Sequence, residues 1–345
     1  MSLTKAQDTA TESIRIKFYD ENSKILVHDV VYKNGKVKLA ASLLLPSSGD
    51  IRASVVIAQG SGSSTTRENL WAGLVAQLFV ESGLAVLFTD KRGTGESGGD
   101  WQKSDFGDLS SDMLAGFDYL AGRDDIGTGA KRIGLLGLSQ GGHYAPLAAS
   151  MRPGDVAFIV SIGASMTTIE EQVRHELINT FRQDGISGEA LSAFATVNET
   201  MFAFVRGEKG MWKRYLAEVE TLREGPSGEL VDKHFNTNPE SWVWDWAPTV
   251  FPFDPMPYWR KVQAPVFIAY GGEDEHDNVP ISVSVNLFRA MVEERGDNLD
   301  QIVRVYEGAT HGIQVRTREA DGVIRVELDP KFKEDIANWL AERFD

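Results

Sequence analysis

The sequence predicts an α/β fold with a mostly parallel central sheet covered by helices on both faces. Two observations predict it. The runs SVVIAQG (54–60), LAVLFTD (84–90), RIGLLGLS (132–139), VAFIVSIG (156–163), APVFIAYGG (264–272) and QIVRVYEG (301–308) are dense in Val, Ile and Leu without polar alternation. That is the composition of strands buried on both faces. Helical patterns such as NLWAGLVAQLFVESG and LSSDMLAGFDYLAG separate most of these runs, which builds strand–helix–strand units and a parallel sheet.

Element by element, the chain opens on polar residues 1–12, expected to be flexible, followed by IRIKFYD with a strand core at 15–20. ILVHDVVYK (25–33) and VKLAASLLL (37–45) flank Asn34-Gly35, a hairpin signal. The alternation breaks once. From 165 to 246 the pattern is helical, beginning with Thr167 and Glu170 as an expected capping box and continuing through EEQVRHELINTF, LSAFATVNETMFAFV and MWKRYLAEVETL. Residues 165–246 are therefore expected to form a helical cap, inserted into a body made of 13–164 and 247–345. The segment ends in SWVWDWAPTVFPFDPMPYW, where Trp242, Trp244, Trp246 and Trp259 are close together in sequence and expected to crowd in space.

Composition narrows the function classes. A net charge of −15 without a Lys/Arg run repels phosphate backbones, so no nucleic-acid partner is expected. No apolar stretch reaches the ~18 residues of a membrane span, so a soluble protein is expected. There are no cysteines, which excludes disulfides, thiolate metal sites and a cysteine nucleophile. No spacing suits a metal, and no cofactor is expected. The first residues lack the apolar core of a signal peptide. A cytoplasmic protein is expected, or a periplasmic or secreted one whose leader has been removed, as monomer or homodimer.

The chemistry concentrates at GLSQGGHYA (137–145). Gly137-Leu138-Ser139-Gln140-Gly141 fits G-x-S-x-G between a buried strand and a small-residue helix, the setting of a nucleophile on a strained turn. A serine needs a base, and the base needs an orienting acid. Of the six histidines, His28 lies in a strand, His175 and His234 in the cap, and His276 in a charged loop. His143 sits one helical turn past the serine, where packing or pocket lining is expected. His311 lies in EGATHGI, a small-residue loop directly after the last apolar strand, and is the expected base. The acid comes from YGGEDEHDNVP, where Asp274 and Asp277 both remain open.

On these motifs, and on their order Ser139, acid, His311, the sequence resembles an α/β-hydrolase over nearly its whole length. The resemblance implies an acid three residues past Gly271, which favours Asp274 and leaves Asp277 as the alternative. It also implies an oxyanion hole from the backbone N–H groups of Gln140 and of Ser61, after Gly60, although Gln59 stands where many relatives have His. DKRGTGESGG (90–99) resembles the family's Asp-x-Arg-Gly-x-Gly-x-Ser loop. It also matches the dinucleotide pattern G-x-G-x-x-G, but without the strand-to-helix setting that pattern requires.

The β-rich opening and GSGSSTTREN resemble bacterial esterases and peptidase-like hydrolases related to prolyl oligopeptidase catalytic domains. The resemblance implies a serine hydrolase acting through an acyl-enzyme. A carboxylesterase on small or medium acyl or aromatic esters leads, with an aminopeptidase, amidase or thioesterase as the alternative. A binding protein on a hydrolase fold is a remote third. The substrate is accordingly a small-molecule ester or a peptide, and Gly60, His143, Met201, Phe202, Trp212 and Trp244 are candidates for its pocket. Glu170, Glu171 or Asp245 would serve a peptidase that reads a free amino terminus.

Overall fold

The computed structural model describes residues 24–126, 129–318 and 324–344, so the segment expected at 15–20 lies outside the described residues. Among the described residues eight strands form one sheet: β1 (Ile25–Asn34), β2 (Val37–Pro46), β3 (Ala53–Ala58), β4 (Leu84–Thr89), β5 (Ile133–Leu138), β6 (Ile159–Ile162), β7 (Val266–Gly271) and β8 (Gln301–Tyr306). Their spatial order is β1-β2-β4-β3-β5-β6-β7-β8. The pairings of β1 with β2 and of β2 with β4 are antiparallel, and every pairing from β4 to β8 is parallel. The β1–β2 loop is Gly35-Lys36, one residue later than Asn-Gly suggests, with Gly35 at φ +55° in its first position.

The helices follow as α1 (Leu70–Glu81), α2 (Phe106–Ala121), α3 (Gln140–Met151), α4 (Ile169–Gln183), α5 (Gly188–Val205), α6 (Met211–Arg223), α7 (Val231–His234), α8 (Val243–Val250), α9 (Met256–Trp259), α10 (Ile281–Arg295) and α11 (Pro330–Phe344). Because β3 and β5 to β7 are buried on both faces, neighbouring residues enter opposite cores. Val55, Leu136, Val160 and Phe267 face one core with residues of α1 and α11. Val56, Leu135, Ile159 and Ile268 face the other with residues of α2, α3 and α10. A hairpin of β9 (Gln314–Arg318) and β10 (Ile324–Leu328) follows β8.

All the structure between β6 and β7 is helical. Within it, Phe181, Ile186, Phe194, Val197, Tyr215, Val219, Val231 and Phe235 form a hydrophobic cluster of their own, so this segment carries an interior distinct from the two cores of the sheet. Two expectations shift here. The capping box that starts α4 is Thr168 with Glu171, not Thr167 with Glu170. The Thr167 hydroxyl is engaged inward, 2.7 Å from the Ser165 hydroxyl, and Glu170 pairs with Arg174 and Arg206. The tryptophans also divide. Trp242 and Trp246 meet Trp101, Trp244 joins Phe204, Trp212 and Tyr215, and Trp259 packs on Phe288. Trp242 and Trp246, at i and i+4, share one face of the chain and meet the same ring, while the i+2 offset turns Trp244 to another.

Candidate active site

Ser139 occupies the corner between β5 and α3 with φ 50° and ψ −120°, a conformation that L-residues rarely adopt. Its amide donates to the Ile162 carbonyl at 2.7 Å and its carbonyl accepts from Gly142 N–H at 2.8 Å. The corner is held by backbone bonds, independent of the hydroxyl. Its glycines serve close approach. A Cβ on Gly141 would overlap the Ala58 carbonyl, and one on Gly137 would overlap the backbone of Gly141 and Gly142. Gly141→Ala is therefore expected to destabilise the fold by about 2–3 kcal/mol, read as a lower midpoint of urea unfolding. An unchanged midpoint would mean that the corner tolerates a wider turn.

The strand ends bring the acid and the imidazole to the same edge. Asp274 sits in the short 3-10 turn Gly272–His276 after β7, and His311 follows β8. His311 Nδ1 lies 2.6 Å from Asp274 Oδ2, with the Asp274 side chain fully buried and the imidazole 24% exposed. The second carboxylate oxygen, Oδ1, accepts from Asn278 N–H at 3.2 Å. Asp277 is exposed, and its Oδ1 accepts from Gln183 Nε2 at 3.4 Å instead. The imidazole is seated between Trp71, whose ring centroid is 5.4 Å away, and Gly163, where a Cβ would stand 3.0 Å from His311 Cε1. Ile313, at φ 53°, closes the loop.

Ser139 and His311 line one solvent-open cavity of about 250 Å³ together with Gly60, Ser61 and Asn278. A second cavity of about 280 Å³ adjoins Ser139, lined by Ser61, Gln140, His143, Val173, Glu176 and Phe251 among others. Val173 and Phe251 also line a third cavity of about 620 Å³ among the helices between β6 and β7, with Met201, Phe235 and Trp244. Of the expected pocket residues, Gly60, His143, Met201 and Trp244 thus face these cavities. Phe202 and Trp212 are on none of these walls. Phe202 is fully buried against Phe251 and under the Arg174 guanidinium, and Trp212 packs against Phe204, Tyr215 and Trp244. The α5 and α6 faces that carry them are needed to pack the helices of this segment together.

His143 is almost entirely buried, and burial brings its imidazole down to about 4, so it is neutral at neutral pH. Gln172 and the backbone of Ser165 and Gln140 surround the ring, but neither nitrogen makes a hydrogen bond of good geometry to them. The carboxylates considered for amine recognition point elsewhere: Glu170 pairs with arginines, Glu171 caps α4 and Asp245 is exposed. Glu176, which no motif singles out, faces the cavity beside Ser139. Glu176 is exposed at the cavity mouth, and surrounding protein and then the Asp277 charge raise its carboxyl above the usual range. Position on the inner face of α4, one turn past Gln172 and Val173, was the only signal available for it.

The 90–99 loop is a structural clamp. The Asp90 carboxylate accepts from Arg67 N–H at 2.6 Å and Glu96 N–H at 3.0 Å, and Arg92 grips Asp112 with two bonds of 2.5 and 2.8 Å. The helix α4 is joined to the acid loop, where Asn179 Nδ2 donates to the carbonyls of Glu275 and Asp277, each at 3.3 Å. Among the described residues no helix is long and apolar enough to cross a membrane.

Solved structures share this architecture. The Pyrococcus furiosus esterase superposes with a TM-score of 0.56 at 16% identity, covering 93% of this chain and 92% of that one. For proline iminopeptidase from Mycobacterium smegmatis the TM-score is 0.54 at 15% identity, over 92% and 98% of the two chains. For Est1E of Butyrivibrio proteoclasticus, solved with ferulic acid, it is 0.56 at 17% identity, over 91% and 98%. At such identities the likeness is one of fold, that of the α/β-hydrolases. No curated protein matches by sequence. The family model for X-Pro dipeptidyl-peptidases (S15 family) matches residues 34–303. Because that match runs from the last residue of β1 into β8 and takes in the whole helical insertion, the chain belongs to the X-Pro dipeptidyl-peptidase (S15) family.

Proposed function

We propose that the protein is a serine hydrolase that cleaves an acyl bond through Ser139, His311 and Asp274, by way of an acyl-enzyme, with small or medium acyl or aromatic esters as its substrates. The observation that carries this reading is the 2.6 Å contact of His311 Nδ1 with a buried carboxylate, on an imidazole that shares a cavity with a serine in a strained corner. Ser139 Oγ attacks the substrate carbonyl carbon while His311 Nε2 takes its proton. Asp274 keeps the other ring proton on Nδ1 and stabilises the imidazolium. The negative charge on the former carbonyl oxygen is received by the N–H groups of Ser61 and Gln140. Collapse breaks the bond to the leaving group, which takes the imidazolium proton. Water then repeats the sequence on the acyl-enzyme and returns Ser139.

Apolar walls at Ile169, Val173, Trp246 and Phe251 beside the serine suit an acyl chain or an aromatic ring. An aminopeptidase reading has its own support in Glu176, which has no ion-pair partner among the described residues and lines the cavity beside Ser139, and in the family's name. The two are separated by turnover of p-nitrophenyl esters beside aminoacyl-p-nitroanilides. If esters are the substrates, Glu176→Gln leaves ester turnover within about threefold and the anilides are inert. If a free amine is bound, Glu176→Gln raises the anilide KM by about 10-fold or more, the scale of a lost charged contact. In that case anilide binding also weakens as pH falls through the raised pKa of Glu176, where the carboxylate takes up a proton.

A further inference from the structure

Lys91 is a buried amine with no counter-ion among the described residues, bonded to the side chain of Gln140, the residue after the corner serine. It follows β4 and is 6% exposed. Its Nζ donates to the Gly60 carbonyl at 2.9 Å and, in a short contact, to Gln140 Oε1. The Trp101 ring lies 5.8 Å from it. Neighbouring carboxylates are committed elsewhere, Asp90 to Arg67 and Asp112 to Arg92. Burial without compensation brings the Lys91 ammonium down to about 7. A methionine of nearly the same shape would avoid the desolvation, so the charge is poor value as a structural device.

Both of its hydrogen bonds end on the segments that hold the donors. The Gly60 carbonyl and the Ser61 N–H belong to one planar trans peptide and point in opposite directions. A cation fixed on that oxygen therefore fixes where the N–H points, and it polarises the amide so that the N–H carries more positive charge. The second bond ties the side chain of Gln140, whose own N–H opens α3. We propose that Lys91 is a positioning residue for acyl transfer, its ammonium clamping the Gly60–Ser61 peptide and Gln140 so that their two N–H groups converge on the developing oxyanion. This rests on the serine-hydrolase reading above.

The groups that face Lys91 leave it as the one that changes charge near neutrality. Asp90 and Arg92 on its own segment, Arg67 before α1 and Asp112 on α2 are ion-paired. Tyr32 on β1 and Tyr144 on α3 are raised further by burial, and His143 on α3 is lowered to about 4. As pH rises through about 7 the ammonium loses its charge and the clamp weakens, so kcat declines on the alkaline side of its optimum.

The test is steady-state hydrolysis of p-nitrophenyl acetate from pH 5 to 10 by the wild type, Lys91→Met, Lys91→Gln and Ser139→Ala. Lys91→Met is expected to lower kcat by about 10- to 100-fold, part of the loss seen when an oxyanion donor is removed. KM stays within threefold, the alkaline decline disappears, and the melting temperature holds or rises. Lys91→Gln, which keeps a donor without the charge, loses less and also lacks the alkaline decline. A kcat within twofold of the wild type in Lys91→Met overturns the proposal. So does a loss of kcat that comes with a lowered melting temperature and an intact alkaline limb. An active Ser139→Ala would instead defeat the serine-hydrolase reading, whatever the Lys91 variants do.

Discussion

Ser139→Ala is expected to lower kcat for p-nitrophenyl esters by about 10⁵- to 10⁶-fold, the scale on which a lone nucleophile is lost from a serine triad. Residual turnover would come only from the oxyanion donors and the pocket. The fold should not register the change. The corner is held by Ser139 N–H to Ile162 and by its carbonyl to Gly142, and alanine keeps both bonds and suffers the same positive φ. Melting temperature is therefore expected to stay within a few degrees, since surface-like truncations away from packing stay near ±0.5 kcal/mol. Ser139→Gly makes the companion measurement. It is equally inactive but is relieved of the strained backbone at φ 50°, so it should unfold at higher urea by about 1 kcal/mol. A fluorophosphonate probe should label the wild type at Ser139 and neither variant. Substantial turnover by Ser139→Ala would place the nucleophile elsewhere and remove the chemical role given to His311.

What was legible in the sequence was what local pattern determines. Strands β3 to β7 could be read because each residue in them is buried on one face or the other, which leaves no polar alternation to obscure the run. The serine corner could be read because strand, glycines and helix are contiguous. β9 and β10 went unread because their exposed, arginine-rich faces carry little hydrophobic signal. The start of α4 slipped by one residue because Thr167 and Thr168 are equally good caps on paper, and only the buried bond of Thr167 to Ser165 separates them.

At the site, the residues that resisted reading are those whose role depends on distant partners. Lys91 looks like one more basic residue in a charged loop until Gly60 and Gln140, from two other strand ends, are brought onto its ammonium. Glu176 looks like any other exposed position on an amphipathic helix until the fold sets α4 over the cavity beside Ser139. Both lie at crossings between elements far apart in the chain, and no spacing within one element encodes such a meeting.

Asp274→Asn is expected to cost about 10⁴-fold in kcat, and Asp277→Asn almost nothing. The sequence leaves these two acids three positions apart on one loop, and their surroundings separate them. The 3-10 turn Gly272–His276 carries Asp274 inward, where its oxygens meet His311 Nδ1 at 2.6 Å and Asn278 N–H at 3.2 Å. Asp277 is carried outward to Gln183 at the end of α4. An asparagine at 274 keeps the size but offers an N–H₂ group to the imidazole. Nδ1 then becomes the acceptor, the ring proton moves to Nε2, and the base can no longer take the proton of Ser139. The loss should fall on kcat with KM little changed, because orientation of the ring matters to the transition state more than to binding. Fluorophosphonate labelling of Ser139 should slow in parallel, which ties the loss to activation of the serine and not to release of product. The reverse ranking, with Asp277→Asn the inactive variant, would mean that the acid loop rearranges when substrate binds and that the buried carboxylate serves the fold alone.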